Sequence, residues 1–433
     1  IRFSFPVLFA MLLQMFYGAV DLFVVGQFAD TVDVSAVSTG TGIMMTFTCI
    51  ILGLSMGLTI LVGQLMGEGK PARVGKAIGS AIFLFALITV FMTTFVCFFA
   101  VPISEIMRAP REAFNETVSY VRLCGFGFIF IVSFNVLGAI FRGIGDSKLP
   151  LYAVMIACVF NIFGDLLFVA VFHMGAAGAA IATVAAQAVS VLISLLIIKR
   201  RALPFRMSLK DIGFHKKYVY RILALGTPCA LQDFLVNISF MFVLAIVNTM
   251  GLTASAGVGV AEKLCGFLML VPSAFSQSMS AFVAQNIGAG KHERAEKTLR
   301  YGISISVVAG IFMFLTAFCF GDSMSMIFSK EPEVIEASFQ YLKAYGIDCL
   351  LTSFLFCYIG YFNGYGRTLF SMAQSIIGAF GVRIPVAFFI SRIPGVSLFK
   401  LGLATPSSSF IQIILCMFYF MYLKKNLREG KIS

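Results

Sequence analysis

Long apolar runs separated by short polar segments make up most of this chain. We count about twelve runs, and each is long enough for the roughly 20 residues that a helix needs to cross a bilayer. They lie near residues 4–29, 35–66, 77–101, 114–141, 149–172, 176–199, 219–249, 254–287, 299–320, 334–362, 369–391 and 397–423. The first run continues as a full span, so we expect a spanning helix there and no cleavable signal peptide. A transmembrane β-barrel would show short alternating strands instead. The pattern predicts an all-α polytopic membrane protein with twelve transmembrane helices.

The composition supports this prediction and excludes several kinds of site. Of the 433 residues 59% are hydrophobic and 12% are charged, which is more apolar than a soluble core requires. The ten Cys are scattered singly through apolar runs, with no CxxC motif and no Cys/His cluster. We therefore interpret them as small buried hydrophobic residues and not as metal ligands or disulfides.

The charged residues alternate between the two sides of the predicted membrane. The net charge of +12 comes from one set of loops, whereas the alternate loops carry most of the acids. The basic set contains Lys70, Arg73, Lys76, Arg142, Lys148, Lys199, Arg200, Lys216, Lys217, Lys291, Arg294, Lys297, Arg367, Lys424 and Lys425. The positive-inside rule places these loops and both termini in the cytoplasm, in a cytoplasmic (inner) membrane. We attribute the excess charge to topology and expect no nucleic-acid partner.

The two halves of the chain are copies of one unit. Val62-Gly-Gln64-Leu-Met-Gly67-Glu-Gly69-Lys70 recurs as Val283-Ala-Gln285-Asn-Ile-Gly288-Ala-Gly290-Lys291, 221 residues later (283 − 62). Phe141-x-Gly143-x-Gly145 matches Phe362-x-Gly364-x-Gly366 at the same offset. After one added residue the offset becomes 222, and Ala182-Thr183 matches Ala404-Thr405. Pro6 and Pro228 are also 222 residues apart. So many matches at one spacing indicate an internal duplication.

The duplication predicts the domain organisation. Residues 1–200 form an N-lobe with helices 1–6, residues 201–217 a basic cytoplasmic linker, and residues 218–433 a C-lobe with helices 7–12 and a short basic tail. Six spans per half is an even number, so both halves enter the membrane in the same direction. Two such bundles can enclose a central cavity and give alternating access. The Gly-x-Gly-Lys turns do not have Walker spacing and follow no strand, so we do not interpret them as phosphate loops.

Residues that differ between the copies are candidates for function. The first-half residues and their second-half partners are Asp21 and Val243, Asn161 and Arg383, and Asp165 and Ala387. Thr183 is retained as Thr405. The first half therefore has two carboxylates inside predicted spans that the second half lacks.

These first-half residues are predicted to meet near the middle of the membrane. Asp165 and Thr183 are equally far from position 174, which lies in the turn between helices 5 and 6. Nine residues of helix place both side chains about 13 Å below that outer end. Asp21 is about as far from the acidic loop that follows helix 1, and Asn161 shares a helix face with Asp165. An unpaired charge at this depth costs roughly 2.5–3.5 kcal/mol or more. The set can hold a proton, or Na⁺ when both carboxyl groups ionise. The structural alternative is an interhelical hydrogen bond or an ion pair with a basic residue.

Further polar residues in the spans are candidates for a substrate cavity. They are Gln14, Tyr17, Tyr120 and Asn135 in the first half, and Asp233 and Asp348 in the second. Pro6 and Pro228 are predicted near the starts of helices 1 and 7, either as tolerated first-turn prolines or as bending points.

The chain resembles the multidrug and toxic compound extrusion (MATE) family. The residues that carry the resemblance are Pro6 with Asp21, Val62-Gly-Gln64-x-x-Gly67-x-Gly69-Lys70, Arg142-Gly143-x-Gly145-Asp146, Asn161-x-x-x-Asp165, Gly175-x-x-Gly178-x-Ala180-x-Ala182-Thr183 and Gln285-x-x-Gly288-x-Gly290-Lys291. The resemblance implies a V-shaped, two-lobed exporter that exchanges organic cations for H⁺ or Na⁺. It implies an N-lobe cation site at Asp21, Asn161, Asp165 and Thr183, with Tyr120 nearby. The chain is more similar to the DinF-like branch than to the NorM branch, which has a glutamate in helix 7 that Asp233 does not match. A cation site in the C-lobe is thus left open.

Together these observations predict a secondary multidrug antiporter that exports lipophilic organic cations and has no cofactor beyond its coupling ion, H⁺ or Na⁺. We expect a monomer, with membrane lipid around it. The alternative is a lipid-linked oligosaccharide flippase, which requires a basic cavity. A membrane enzyme is not favoured, because His173, His215 and His292 fall in or beside loops. A passive channel is a further alternative, which counterflow measurements would separate from a carrier.

Overall fold

The computed structural model describes residues 2–200, 203–205 and 207–429, and every regular element among them is helical. The α-helices are α1 (Ser4–Phe28), α2 (Thr31–Gly67), α3 (Pro71–Ile106), α4 (Phe114–Phe126), α5 (Phe128–Ile144), α6 (Lys148–Asp165), α7 (Gly175–Arg200), α8 (Lys216–Asn248), α9 (Leu252–Leu268), α10 (Leu270–Gly288), α11 (His292–Ser325), α12 (Pro332–Gly364), α13 (Thr368–Ile376), α14 (Ile384–Ser391), α15 (Leu398–Gly402) and α16 (Ala404–Arg428). Two π-helical segments, Leu166–Val171 and Ile377–Arg383, lie next to α6 and α14. Of the predicted linker and tail, Arg201, Ala202, Arg206 and residues 430–433 lie outside the described residues.

The predicted spans correspond to helices long and apolar enough to cross a membrane. The described residues contain 11 such helices, and a bent pair, Arg111–Phe126 with Phe128–Ile144, supplies a twelfth span. The pair is bent by 52°. The break falls at Gly127, where any Cβ would collide with the side chain of Val184, so glycine allows close packing at the bend. The all-α polytopic fold class is confirmed.

Contacts divide the chain into two compact units. The first comprises residues up to Ala230 together with Ala284–Gly290, and the second comprises Leu231–Val283 and the residues from Lys291 onward. The boundary therefore falls inside α8. Because the division reflects contacts and the predicted domains reflect the repeat, the boundaries 1–200, 201–217 and 218–433 stay a prediction.

The two repeated prolines occupy different places in their helices. Pro6 is the third residue of α1, as expected for a first-turn proline. Pro228 lies inside α8, 12 residues after its start (228 − 216), so the prediction that it lies near a helix start is wrong. Hydropathy marks only the apolar part of a helix, and α8 begins three residues before the predicted run at 219–249 (219 − 216). The first two turns of α8 contain Lys216 and Arg221, and the Arg221 guanidinium donates to Gln64 Oε1 at 2.7 Å.

The repeated Gln-x-x-Gly motif is explained by a close helix crossing in the first unit. A Cβ on Gly67 would collide with the carbonyl oxygen of Gln285, and a Cβ on Gly288 would collide with that of Gln64. The ends of α2 and α10 thus approach each other reciprocally, backbone to backbone. The Gln285 side chain also donates to the Gly143 carbonyl at 2.8 Å. The repeated Gln-x-x-Gly motif therefore serves to pack the end of α2 against the end of α10.

Candidate ion-coupling site

The four residues proposed for ion coupling come together in the first unit. Asp21 lies on α1, Asn161 and Asp165 on α6, and Thr183 on α7. The Thr183 hydroxyl donates a hydrogen bond to Asp21 Oδ2 at 2.9 Å. The side chains of Asp165 and Asn161 also interact with the Asp21 carboxyl group. The cluster therefore joins α1 to the hairpin formed by α6 and α7.

Local packing brings the two arms of this hairpin close together. Gly164, directly before Asp165, faces Ala182, directly before Thr183, and a Cβ on the glycine would lie 3.0 Å from the alanine Cβ. The α-helix ends at Asp165, and the π-helical turn Leu166–Val171 follows. Such turns are rare and are often found at functional sites. The site thus lies at a change of helix geometry.

Most polar atoms of the cluster are buried without a direct hydrogen bond. Asn161 and Asp165 are fully buried, and Asp21 is 5% exposed. Among the described residues, Asp21 Oδ1, both carboxylate oxygens of Asp165 and both amide polar atoms of Asn161 have no hydrogen-bond partner. Buried polar groups are rarely left in this condition. Two carboxylates, an amide oxygen and a hydroxyl form a set that suits a shared proton or a hard cation such as Na⁺.

Two tyrosines border the cluster. Tyr17, one turn before Asp21, interacts with Asp21 and with the side chain of Gln187. Tyr120 is buried, interacts electrostatically with Asp21, and shares a hydrogen bond with the Thr41 hydroxyl at 3.2 Å. Gln187 was missed by sequence reasoning. It lies one turn after Thr183 in α7, so the i, i+4 spacing was the available signal.

The remaining cavity candidates are dispersed. Asn135 is buried, and its amide donates to the Ile131 carbonyl of its own helix at 2.8 Å. Gln14 is half-buried on α1, two turns before Asp21. Asp233 is exposed on α8, and Asp348 is buried on α12. Asp233 and Asp348 belong to the second unit, whereas the cluster around Asp21 lies in the first.

Apolar spanning helices in repeated halves and a buried polar cluster define a multi-pass membrane transporter. The MatE family model matches residues 6–167 and 228–389, two segments that begin 222 residues apart (228 − 6). The chain belongs to the MatE family of transporters. The predicted family is thereby confirmed, as is the prediction that the chain is not an enzyme.

Known proteins resemble the chain over nearly its whole length. It is 24% identical to the probable multidrug resistance protein YoeA of Bacillus subtilis, over 98% of this chain and 93% of that protein. It is 25% identical to an FAD transporter of Shewanella oneidensis, over 96% of this chain and 92% of that protein. A crystal structure of MATE in complex with MaL6 shares the fold, with a TM-score of 0.92 and 19% identity over 99% of this chain and 96% of that one.

Proposed function

We propose that this protein is a secondary antiporter that exports lipophilic organic cations in exchange for H⁺ or Na⁺ by alternating access. The observation that carries the proposal is the buried cluster of Asp21, Asn161, Asp165 and Thr183, most of whose oxygens lack a partner. Carboxylates at this depth are costly unless they bind something. A coupling ion would satisfy them, and the ion is here a transported substrate.

The coupling mechanism depends on α1. Asp21 is the contribution of α1 to the cluster, whereas the other three residues belong to the α6–α7 hairpin. In the most apolar stretch of α1 only 17% of the residues are buried, the lowest share among the candidate spans. An ion bound between Asp21 and Asp165 would hold α1 against the hairpin and reshape the N-lobe cavity. The drug would then leave outward, and ion release to the cytoplasm would reset the cycle.

Coupling requires that the ion and the drug prefer different arrangements of one element. We assign that element to α1, with Pro6 as its candidate bending point. Pro228, inside α8, is the corresponding candidate bending point in the second half of the repeat. Tyr17 and Tyr120 would line the path beside the ion, and Gln14, Asn135, Asp233 and Asp348 are further cavity candidates. The substrate class rests on the carboxylates, because the names of relatives include both multidrug resistance proteins and an FAD transporter.

We place the protein in the cytoplasmic membrane as a monomer with both termini inside and lipid around it. Its lobes are proposed to be 1–200 and 218–433, joined by the basic linker 201–217. The placement is supported by the basic loops and the apolar helices.

The test is drug efflux from proteoliposomes under pH and Na⁺ gradients that are imposed separately. In the wild type one gradient should drive efflux, and that gradient identifies the ion. Asp21→Asn and Asp165→Asn should each reduce gradient-driven efflux to the background of empty vesicles, because the site loses a charge that the ion compensates. Efflux at wild-type rates by both variants would overturn the proposal.

Asp30→Asn is the matched control. It makes the same chemical change at an exposed residue that precedes α2 and whose side chain makes no capping hydrogen bond. Its efflux should equal that of the wild type. Counterflow of labelled drug in the absence of a gradient separates a carrier from a channel.

A flippase for lipid-linked oligosaccharides is the second candidate. The observation in its favour is the buried Arg383, because a pyrophosphate needs basic ligands. The acidic cluster of the first unit argues against it. Transfer of a fluorescent lipid-linked oligosaccharide across the vesicle bilayer, measured by dithionite protection, would support this candidate, whereas cation efflux without such transfer rejects it.

A further inference from the structure

The second unit contains a counterpart of the ion-coupling cluster with different chemistry. At the repeat offset of 222, Tyr17, Asp21, Asn161, Asp165, Thr183 and Gln187 correspond to Ser239, Val243, Arg383, Ala387, Thr405 and Ser409. Val243 and Ala387 are 1% and 0% exposed. The two carboxylates are thus replaced by buried apolar side chains, and the amide of Asn161 by a guanidinium group.

Arg383 is buried and held in place on two sides. It is 5% exposed, and its Nη1 donates to the Ser239 hydroxyl at 2.8 Å. The ring of Phe240 covers one face of the guanidinium group, with the centroid 4.1 Å from Cζ. Arg383 also interacts electrostatically with Tyr341 and Tyr345. These contacts fix the plane of the guanidinium group. Its Nε is buried and makes no hydrogen bond among the described residues, so this N–H donor is left without an acceptor.

The nearest acid does not complete this site. Asp348 is 2% exposed and interacts with Ser409 and, across space, with Arg383. Its Oδ1 has no hydrogen-bond partner, and the ion pairs found in the described part of the chain do not include Asp348 with Arg383. A buried salt bridge is tolerated when its partners make direct, well-aligned hydrogen bonds. Here a donor nitrogen of Arg383 and an acceptor oxygen of Asp348, which carry opposite charges, are both buried in one cluster without a hydrogen-bond partner among the described residues.

We propose that the Arg383 cluster binds the carboxylate of zwitterionic organic substrates, so that this exporter takes compounds that carry both an ammonium and a carboxylate group. The inference deepens the proposed function and rests on it. A guanidinium edge matches a carboxylate in geometry and charge better than any other side chain. Asp348 supplies an acceptor for the ammonium group of the same molecule. The first unit then provides ion coupling, and the second provides recognition of the anionic group.

A purely structural Arg383 would behave differently. A residue that only joins α-helices in the second unit would affect all substrates alike, because its loss would disturb the whole bundle. A residue that binds a carboxylate affects the substrates that have one. The distinction calls for two substrates that differ in that group alone.

The experiment compares a cationic rhodamine methyl ester with its free acid, which is zwitterionic. Efflux of both is measured from proteoliposomes under the gradient that drives the wild type. Arg383→Gln should lower efflux of the free acid by roughly tenfold or more, the loss expected for a charge-assisted hydrogen bond, and should change efflux of the ester far less. Arg383→Lys should retain part of the preference for the free acid, because the positive charge remains. The preference should still fall, because lysine lacks the paired N–H donors of the guanidinium group.

Two matched controls accompany these variants. Arg392→Gln makes the same change at an exposed arginine of the second unit and should leave efflux of both compounds unchanged. Asp165→Asn should abolish efflux of both, because it removes ion coupling. Equal losses of ester and acid in Arg383→Gln, or an unchanged acid rate, would overturn the inference.

The outcomes also separate the inference from the proposed function. A wild type that exports the ester and not the acid contradicts the zwitterion site while it leaves the antiporter proposal in place. If the wild type exports neither compound under either gradient, the antiporter proposal fails. Fluorescence polarisation of the free acid with purified protein then decides the binding question, since Arg383→Gln must bind it at least tenfold more weakly than the wild type does.

Discussion

At the residue scale, the two halves show how one side chain takes different partners after duplication. Thr183 donates to the Asp21 carboxylate, whereas its repeat partner Thr405 faces Tyr341. The threonine was retained in both halves, so the repeat by itself does not reveal that the two hydroxyls have different partners. The distance of 2.9 Å to Asp21 Oδ2 shows which atom of the predicted acidic cluster the Thr183 hydroxyl contacts.

Thr183→Val should weaken ion coupling and leave the fold intact, because valine has the same shape and lacks the hydroxyl. A hydrogen bond to a charged group contributes about 1.5–3 kcal/mol. The external Na⁺ concentration for half-maximal efflux should therefore rise by roughly tenfold or more. If H⁺ is the coupling ion, the pH of half-maximal efflux should move by about one unit. Thr405→Val is the control, and an equal shift in both variants would contradict the role assigned to Thr183.

At the element scale, the same stretch of sequence forms different helices in the two halves. The span α4–α5 is broken and bent by 52°, whereas α12, which includes the repeat-equivalent residues, is continuous. Conversely α2 is continuous, and its equivalent is divided into α9 and α10. The two halves share the geometry of the turn that ends α2 and α10. Gly69 and Gly290 have φ values of +68° and +69°, so each turn needs glycine at the same place.

Gly67→Ala should destabilise the protein, because the new Cβ would collide with the Gln285 backbone and force α2 away from the end of α10. Overpacking of this kind costs about 1–3 kcal/mol. The measurement is the midpoint of thermal unfolding in detergent, and Gly288→Ala should lower it similarly. Gly42→Ala, on the same helix as Gly67, is the control, since a Cβ there would meet no atom within 4 Å. A midpoint for Gly67→Ala that matches this control would contradict the close crossing.

At the scale of the whole molecule, the distribution of basic loops predicts that both termini and the linker face the cytoplasm. The motif Gly69-Lys70 and its copy Gly290-Lys291 then lie on the cytoplasmic side, and the segment that precedes Glu331 lies outside. Lys70, Lys291 and Glu331 are exposed, so a reagent can reach each of them.

Glu331→Cys should react with a membrane-impermeant maleimide in intact cells, whereas Lys70→Cys and Lys291→Cys should react only after permeabilisation. The physical reason is the cost of moving basic loops across the membrane during insertion. The unmodified protein provides the background from its native cysteines. Reaction of Lys70→Cys in intact cells would reverse the predicted orientation.

The sequence by itself determined the apolar runs, the duplication and the identity of the polar residues inside those runs. These follow from short-range rules: a helix rises by a fixed amount per residue, and the bilayer requires a fixed apolar length. The i, i+4 spacing also placed Asn161 and Asp165 on one face of a helix, and in the structure both side chains of that face are fully buried. Sequence reasoning erred at Pro228, which lies inside α8 and not near its start.

Only the tertiary structure decided which side chains meet. The hydrogen bond from Thr183 to Asp21, the neighbouring Gln187, the close approach at Gly164 and the incomplete pairing of Arg383 with Asp348 all depend on how helices pack side by side. Lateral packing is set by contacts between residues far apart in the chain, which a pattern along the chain does not encode. The duplicated sequence therefore indicated where the halves differ. The packing showed which of the polar side chains lie together, Asp21 with Asp165 in one unit and Arg383 with Asp348 in the other.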